Sequence, residues 1–188
     1  MSLTKTKQLE LGFKAPDFKL PDVVSGKEMS YADISGERAT LVMFICNHCP
    51  YVIHVRQQLI DLANDYKNRG VGFVAISAND AENYPDDSPE KMKKLAEELS
   101  FPFPYLYDES QETAKAYGAE CTPDFALFNH ADECVYRGRL DDARPGNDRP
   151  VTGSDLREAI DTVLKGDAID WQQEPSMGCN IKWKPENQ

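Results

Sequence analysis

Two cysteines three positions apart, Cys46 and Cys49 in the stretch LVMFICNHCPYV (residues 41–52), are the side chains of this sequence best suited to chemistry. Thiols at this spacing can close a disulfide by exchange or share a metal ion. Pro50 tells the two apart. Proline suits the first helical position, where its missing N–H has no intrahelical partner and its fixed φ matches the helix, so Cys49 becomes the capping residue. Its sulfur then faces unpartnered backbone N–H groups and the positive end of the helix dipole, which favour thiolate over thiol. In such surroundings a cysteine pKa falls from about 8.5 to roughly 3.5–7.5. Cys46 lies one turn earlier and could close a disulfide with Cys49 if the loop brings the two within bonding geometry. His48 stands between them, placed either to steady a neighbouring thiolate or to sit solvated in the loop. A structural zinc needs four ligands and the chain offers one close pair, so no metal is expected. A helix start beyond a sheet strand is expected to be exposed, and both thiols with it.

The elements that position this turn are legible on either side. Leu41–Ile45 is a short unbroken apolar run, the mark of a strand buried on both faces. After Pro50, Val52, Val55, Leu59, Leu62, Ala63 and Tyr66 recur at helical spacing, and Lys67, Arg69 and Gly70 close the helix. Val71–Ser77 is a second apolar run, so a right-handed βαβ unit follows, with the cysteines on its strand-to-helix turn. Residues 15–34 predict a hairpin around Ser25–Gly26, laid over one end of the sheet. Ser88 caps and Pro89 starts a second helix with Met92, Leu95, Ala96 and Leu99 on one face. FPFPYLYD ends in a short strand, and ESQETAKAYG is a small helix closed by Gly118. Asp124–Phe128 and Cys134–Tyr136 pair across NHAD, which makes Cys134 a core thiol, and Ser154 opens a last helix that stops at Gly166. The charged loop DDARPGNDRPVTG (141–153) could bring Arg144 or Arg149 over the site as a lid. From Met177 to Trp183 apolar and polar residues alternate, predicting a docked edge strand that turns Cys179 inward with Ile181 and Trp183, as a buried thiol or as a second resolving cysteine.

A formal charge of −11 and a pI near 4.7 argue against nucleic acid or anionic membranes as partners, since both need clustered Lys and Arg. No stretch is long and apolar enough to span a bilayer, and the opening MSLTKTKQLE lacks the hydrophobic run of a secretory signal, so a cytoplasmic protein is expected. Five cysteines in a chain of 188 residues do not make a disulfide scaffold; in a reducing compartment they are catalytic or metal-binding. One domain is expected over residues 1–188, with its core at 12–166 and a docking tail at 167–188.

The order strand, helix, strand, helix, then helix, hairpin, helix, with the paired cysteines after the first core strand, resembles the thioredoxin-like superfamily. Within it, the peroxiredoxin-like branch of the redoxin and alkyl-hydroperoxide-reductase type is the nearest match. APDFKLPD (15–22) resembles the opening segment of redoxins, CTPDFALF (121–128) the element whose cis-proline faces the active cysteines, and PSMGCNIKWK a tail found in that branch. The resemblance implies an α/β fold: a central mixed β-sheet flanked by helices, with an N-terminal hairpin extension and a C-terminal tail. It further implies that Pro123 is cis and that Thr122 docks substrate, with Cys121 a packed thiol nearby. This sequence departs from both better-known patterns. Counted from Phe44, Cys49 falls at the nucleophilic or peroxidatic position, and Val52 occupies that of the usual second cysteine. Cys46 and Val42 stand where peroxiredoxins keep a threonine and a proline, and the Thr122–Pro123 element takes the place of their arginine.

The resemblance therefore implies a thiol-disulfide oxidoreductase without cofactor, in which Cys49 attacks and Cys46 resolves, working on protein or small-molecule disulfides with a thiol electron donor. The alternative is a thiol peroxidase with Cys49 peroxidatic and Cys46 or Cys179 resolving. A non-catalytic zinc-binding or partner-docking protein on the same scaffold is the third reading.

Overall fold

The computed structural model describes residues 2–7 and 9–188. From the N-terminus come β1 (Leu3–Lys5), β2 (Lys19–Pro21), β3 (Glu28–Ser30), the single turn α1 (Tyr31–Ile34), β4 (Ala39–Phe44) and α2 (Pro50–Tyr66). There follow β5 (Val71–Ser77), α3 (Pro89–Glu98), β6 (Tyr105–Tyr107), α4 (Glu112–Ala116) and β7 (Cys121–Thr122). The chain ends with β8 (Asp124–Asn129), β9 (Cys134–Gly138), α5 (Ser154–Lys165) and β10 (Met177–Asn180).

The main sheet has the order β6-β5-β4-β8-β9, with β4 parallel to β5 and antiparallel to β8. Every residue of β4 is buried because helices or hairpin cover both faces. Alternation along the strand feeds two separate cores. Leu41 and Met43, with Phe73 and Ala75 of β5, pack against Val55, Leu59 and Leu62 of α2, Met92 of α3 and Ile160 of α5. Val42 and Phe44, with Val74 and Ile76, face Phe18, Tyr31, Ala114 and Tyr117 on the opposite side. The mixed sheet is thus sandwiched between α2, α3 and α5 below and the β2–β3 hairpin, α1 and α4 above.

Local chemistry ends each element as the sequence reading expected. Cys49 is the N-cap of α2, Pro50 its first residue, and Gly70 at φ +83° stops the chain after the 3-10 turn Lys67–Arg69. The Ser88 hydroxyl accepts from the Lys91 N–H at the head of α3. The β2–β3 hairpin closes around Ser25–Gly26 and lies at the β6 edge, where the Val23 N–H donates to the Tyr105 carbonyl.

Two features run against expectation. The tail strand β10 is not an edge: it lies between β1 and β7 in a second, three-stranded antiparallel sheet. Strand β1 carried no alternating signal because its residues, Leu3, Thr4 and Lys5, stay largely exposed and pair through backbone alone. The second feature is a buried ion pair: Arg137 Nη2 donates to Asp124 Oδ2 at 2.7 Å, both side chains almost without solvent. Burial raises the Asp124 carboxyl pKa, and Arg137, Thr6 and Ser176 oppose that rise by charge and hydrogen bonding. Replacing Asp124 by Ala should cost about 3–5 kcal/mol, the usual penalty for leaving a buried charge without its partner. Urea unfolding followed by tryptophan fluorescence checks this; a loss below 1 kcal/mol, the level of an exposed pair, would contradict it.

Candidate thiol active site

The turn after β4 carries Cys46, Asn47, His48 and Cys49 into α2, and the Thr122–Pro123 bond of the facing segment is cis. Thr122 spans both thiols. Its hydroxyl lies 3.4 Å from Cys46 Sγ, and its carbonyl oxygen accepts from the Cys49 thiol at 3.3 Å. Cys179, opposite Thr122 in the β7–β10 pairing, also hydrogen-bonds to Cys49. Cys46, Cys49, Thr122, Pro123 and Cys179 therefore converge on one point.

The expected exposure of the cysteines does not hold. Cys49 is 0% and Cys46 1% exposed, because β7 and β10 close over the turn that a strand-to-helix junction alone would leave open. Beside Pro123 lies a small cavity of about 30 Å³, lined by Tyr51, Val55, Phe125, Leu140 and Met177. A wider groove of about 750 Å³ opens on the other side of the turn, between Asn47, His48 and the head of α3.

Inside this enclosure the two thiols diverge. Cys49 is lowered to about 4, first by the neighbouring Cys46 thiol and further by Cys179, Thr122 and the head of α2, which together outweigh desolvation. Cys46 is raised well above the ordinary value, because it donates to Cys49, is desolvated and lies near the Asp87 carboxylate. Desolvation also pushes Cys179 up to about 12. The remaining thiols are packed ones. Cys121 contacts the Thr6 hydroxyl at 3.3 Å, Cys134 is buried in β9, and burial pushes each up to about 12.

His48 does not turn toward Cys49. Its Nδ1 meets Asp87 Oδ2 at 2.5 Å, and its ring stacks on Tyr84. Asp87 is fully buried and accepts in addition from the backbone N–H groups of Asn47 and His48 and from Asn79 Nδ2. Tyr105 holds Asn47 Oδ1 at 3.0 Å. No sequence signal pointed to Asp87, Asn79 or Tyr105, since each reaches the turn from another element. Among the described residues, donor atoms of Cys46, His48 and Asp87 lie within 4.8 Å of one another and form a group that could hold a metal ion, which widens the one-pair inventory read from sequence. In the loop after β9, Arg144 reaches the Met177 sulfur and Arg149 pairs with Asp142.

A pair of cysteines at the head of a helix, under a cis-proline and on a mixed sheet flanked by helices, defines a thioredoxin-like α/β protein. The Redoxin family profile matches residues 10–156, and the chain belongs to that family. Its chemistry is accordingly thiol-based redox chemistry. An uncharacterized conserved protein from Geobacillus kaustophilus has the same fold at TM-score 0.96 and 56% identity, covering 98% of each chain. Curated relatives divide by activity. A thiol-disulfide oxidoreductase, ResA, from Bacillus thuringiensis subsp. konkukian is 26% identical over 162 residues, 86% of this chain and 81% of that protein. Peroxiredoxin Bcp from Escherichia coli K12 is 28% identical over 110 residues, 58% of this chain and 65% of its own. Among the described residues no helix is long and apolar enough to cross a membrane.

The lowered pKa has a direct readout. Thiolate absorbance at 240 nm, taken as the difference between the native chain and Cys49→Ser, should fall away only as pH drops through about 4. A half-point near the ordinary 9.0 would refute the stabilisation by neighbouring donors.

Proposed function

We propose that this redoxin is a thiol-disulfide oxidoreductase, acting as one domain over residues 1–188 in a reducing, cytoplasmic setting. The observation that carries the reading is the pair itself: a capping Cys49 favoured as thiolate, with a protonated Cys46 in hydrogen-bond contact. Cys49 thiolate attacks one sulfur of a substrate disulfide; the S–S bond breaks, and the leaving thiolate takes up a proton. The Cys46 sulfur, giving up its proton, then attacks the Cys49 sulfur, releases the second substrate thiol and leaves a Cys46–Cys49 disulfide. An external thiol donor reduces that bond and returns the pair to its starting state. Thr122 and Pro123 contact the bound substrate, and His48, held by Asp87 close to Cys46, modulates that thiol.

Complete burial of Cys49 supports a second reading, reduction of a peroxide small enough to enter. Cys49 would become a sulfenic acid with release of water or alcohol, and Cys46 or Cys179 would condense with it, expelling a second water.

Cys49→Ser should abolish reduction of a disulfide substrate, whereas Cys46→Ser should still attack and accumulate the mixed disulfide, visible as a mass adduct. Retained activity in Cys49→Ser, together with loss in Cys46→Ser, would reverse the roles. Stopped-flow oxidation by hydrogen peroxide separates the two reactions. A rate far above that of free cysteine and lost in Cys49→Ser makes the protein a peroxidase, and a rate typical of an ordinary thiolate leaves disulfide exchange.

A further inference from the structure

Cys49 has a second thiol neighbour besides Cys46, and the strand that brings it deserves a role. The carbonyl and hydroxyl of Thr122 touch both reacting sulfurs, so a strand paired to the Thr122 edge holds its residue opposite Thr122 beside them. That edge is already taken by β10, and the residue opposite Thr122 is Cys179. The seating is close: a Cβ on Gly178 would fall 1.9 Å from the Thr122 carbonyl oxygen, so only glycine lets the strand approach this far. The occupant is also fastened. Beta pairing with β1 holds its other edge, Ser176 Oγ donates to the Gly138 carbonyl at 2.8 Å, and the Lys182 N–H donates to Asn79 Oδ1 at 2.9 Å.

We infer that β10 is a built-in substrate strand, with Cys179 the internal exchange partner of Cys49, and that while it is docked the site excludes extended protein chains. This rests on Cys49 being the attacking sulfur. The step balances without an added oxidant. In the Cys46–Cys49 disulfide, the Cys179 sulfur loses its proton and attacks the Cys49 sulfur; the bond to Cys46 breaks, and Cys46 leaves as a thiolate that takes up a proton. One S–S bond is exchanged for another, and the oxidising equivalent moves from the turn to the tail. Cys49 sits on the Thr122 carbonyl, Cys179 is opposite Thr122 in the strand register, and both thiols belong to one buried cluster, which sets the two sulfurs on the path of the new bond.

The test is a disulfide map of the full reduced chain treated with one equivalent of bis(2-hydroxyethyl) disulfide, which takes up two electrons as two thiols. The chain is then blocked with N-ethylmaleimide and digested with trypsin. Cys46 and Cys49 share peptide 39–56 and Cys179 lies in peptide 166–182, so the exchange joins two peptides that the Cys46–Cys49 bond leaves separate. The joined peptide is expected in the native chain, retained in Cys46→Ser, and lost in Cys49→Ser and in Gly178→Val, whose Cys46–Cys49 bond still forms. Cys179 fully alkylated in both the native chain and Cys46→Ser, with Cys49 oxidised, would overturn the inference alone. Cys49 alkylated throughout would overturn the reading beneath it as well. In parallel, the native chain should reduce bis(2-hydroxyethyl) disulfide faster than the interchain disulfides of insulin, and Gly178→Val should narrow that ratio. An equal rate for both substrates in the native chain would refute the exclusion.

Discussion

Between the main sheet and the strands that roof the thiols lies one carboxylate, Asp124, facing one guanidinium, Arg137, with almost no water near either. Removing both charges from solvent costs several kcal/mol per ion, offset by the short contact and by the use of the carboxylate's other lone pairs, although Arg137 Nε and Nη1 stay buried without a hydrogen-bond partner. Those lone pairs are what organise the active end of the molecule. Thr6, just after β1, and Ser176, just before β10, both hydrogen-bond to the Asp124 carboxylate, and Asp124 itself follows Pro123. The cis-proline segment, the N-terminal strand and the tail are thereby tied to a single desolvated group.

That roof changes the character of the reactive sulfur. An exposed capping cysteine would owe its acidity largely to the helix end and nearby cations. Cys49 sits in the dry, and its thiolate is favoured chiefly by neutral neighbours, the Cys46 thiol first among them. Interactions of this kind are short-ranged and little screened by salt, so the acidity belongs to the local geometry more than to the charge of the protein. A net charge of −11 would otherwise work against an anion at the site.

Much of this was legible in the sequence, and the divide follows the range of each interaction. The β4–α2–β5 unit declared itself through apolar runs and helical spacing, and the cap position of Cys49 through Pro50, because these are local. The tail buries Cys179 as read, but the expected common face does not hold: the strand ends at Asn180, and Ile181 and Trp183 pack into the opposite core from Cys179. Burial of Cys46 and Cys49 was not legible, since what covers them comes from segments more than seventy residues further along the chain. Asp87 reaches His48 from thirty-nine residues away, and nothing in NYPDDSP marks which aspartate turns inward. Strand β1 was invisible for a different reason: it pairs through backbone and buries little side chain.

Strand β10 is also a span of set length. It is pinned before its first residue by Ser176 on Gly138 and beyond its last by Lys182 on Asn79, leaving five residues between the two anchors. Because side chains alternate along a strand, adding or deleting one residue in that interval would turn Cys179 away from the helix and put a neighbour in its place. The interval is thus a ruler: over evolutionary time its composition can drift, but its residue count cannot change without the anchors changing as well.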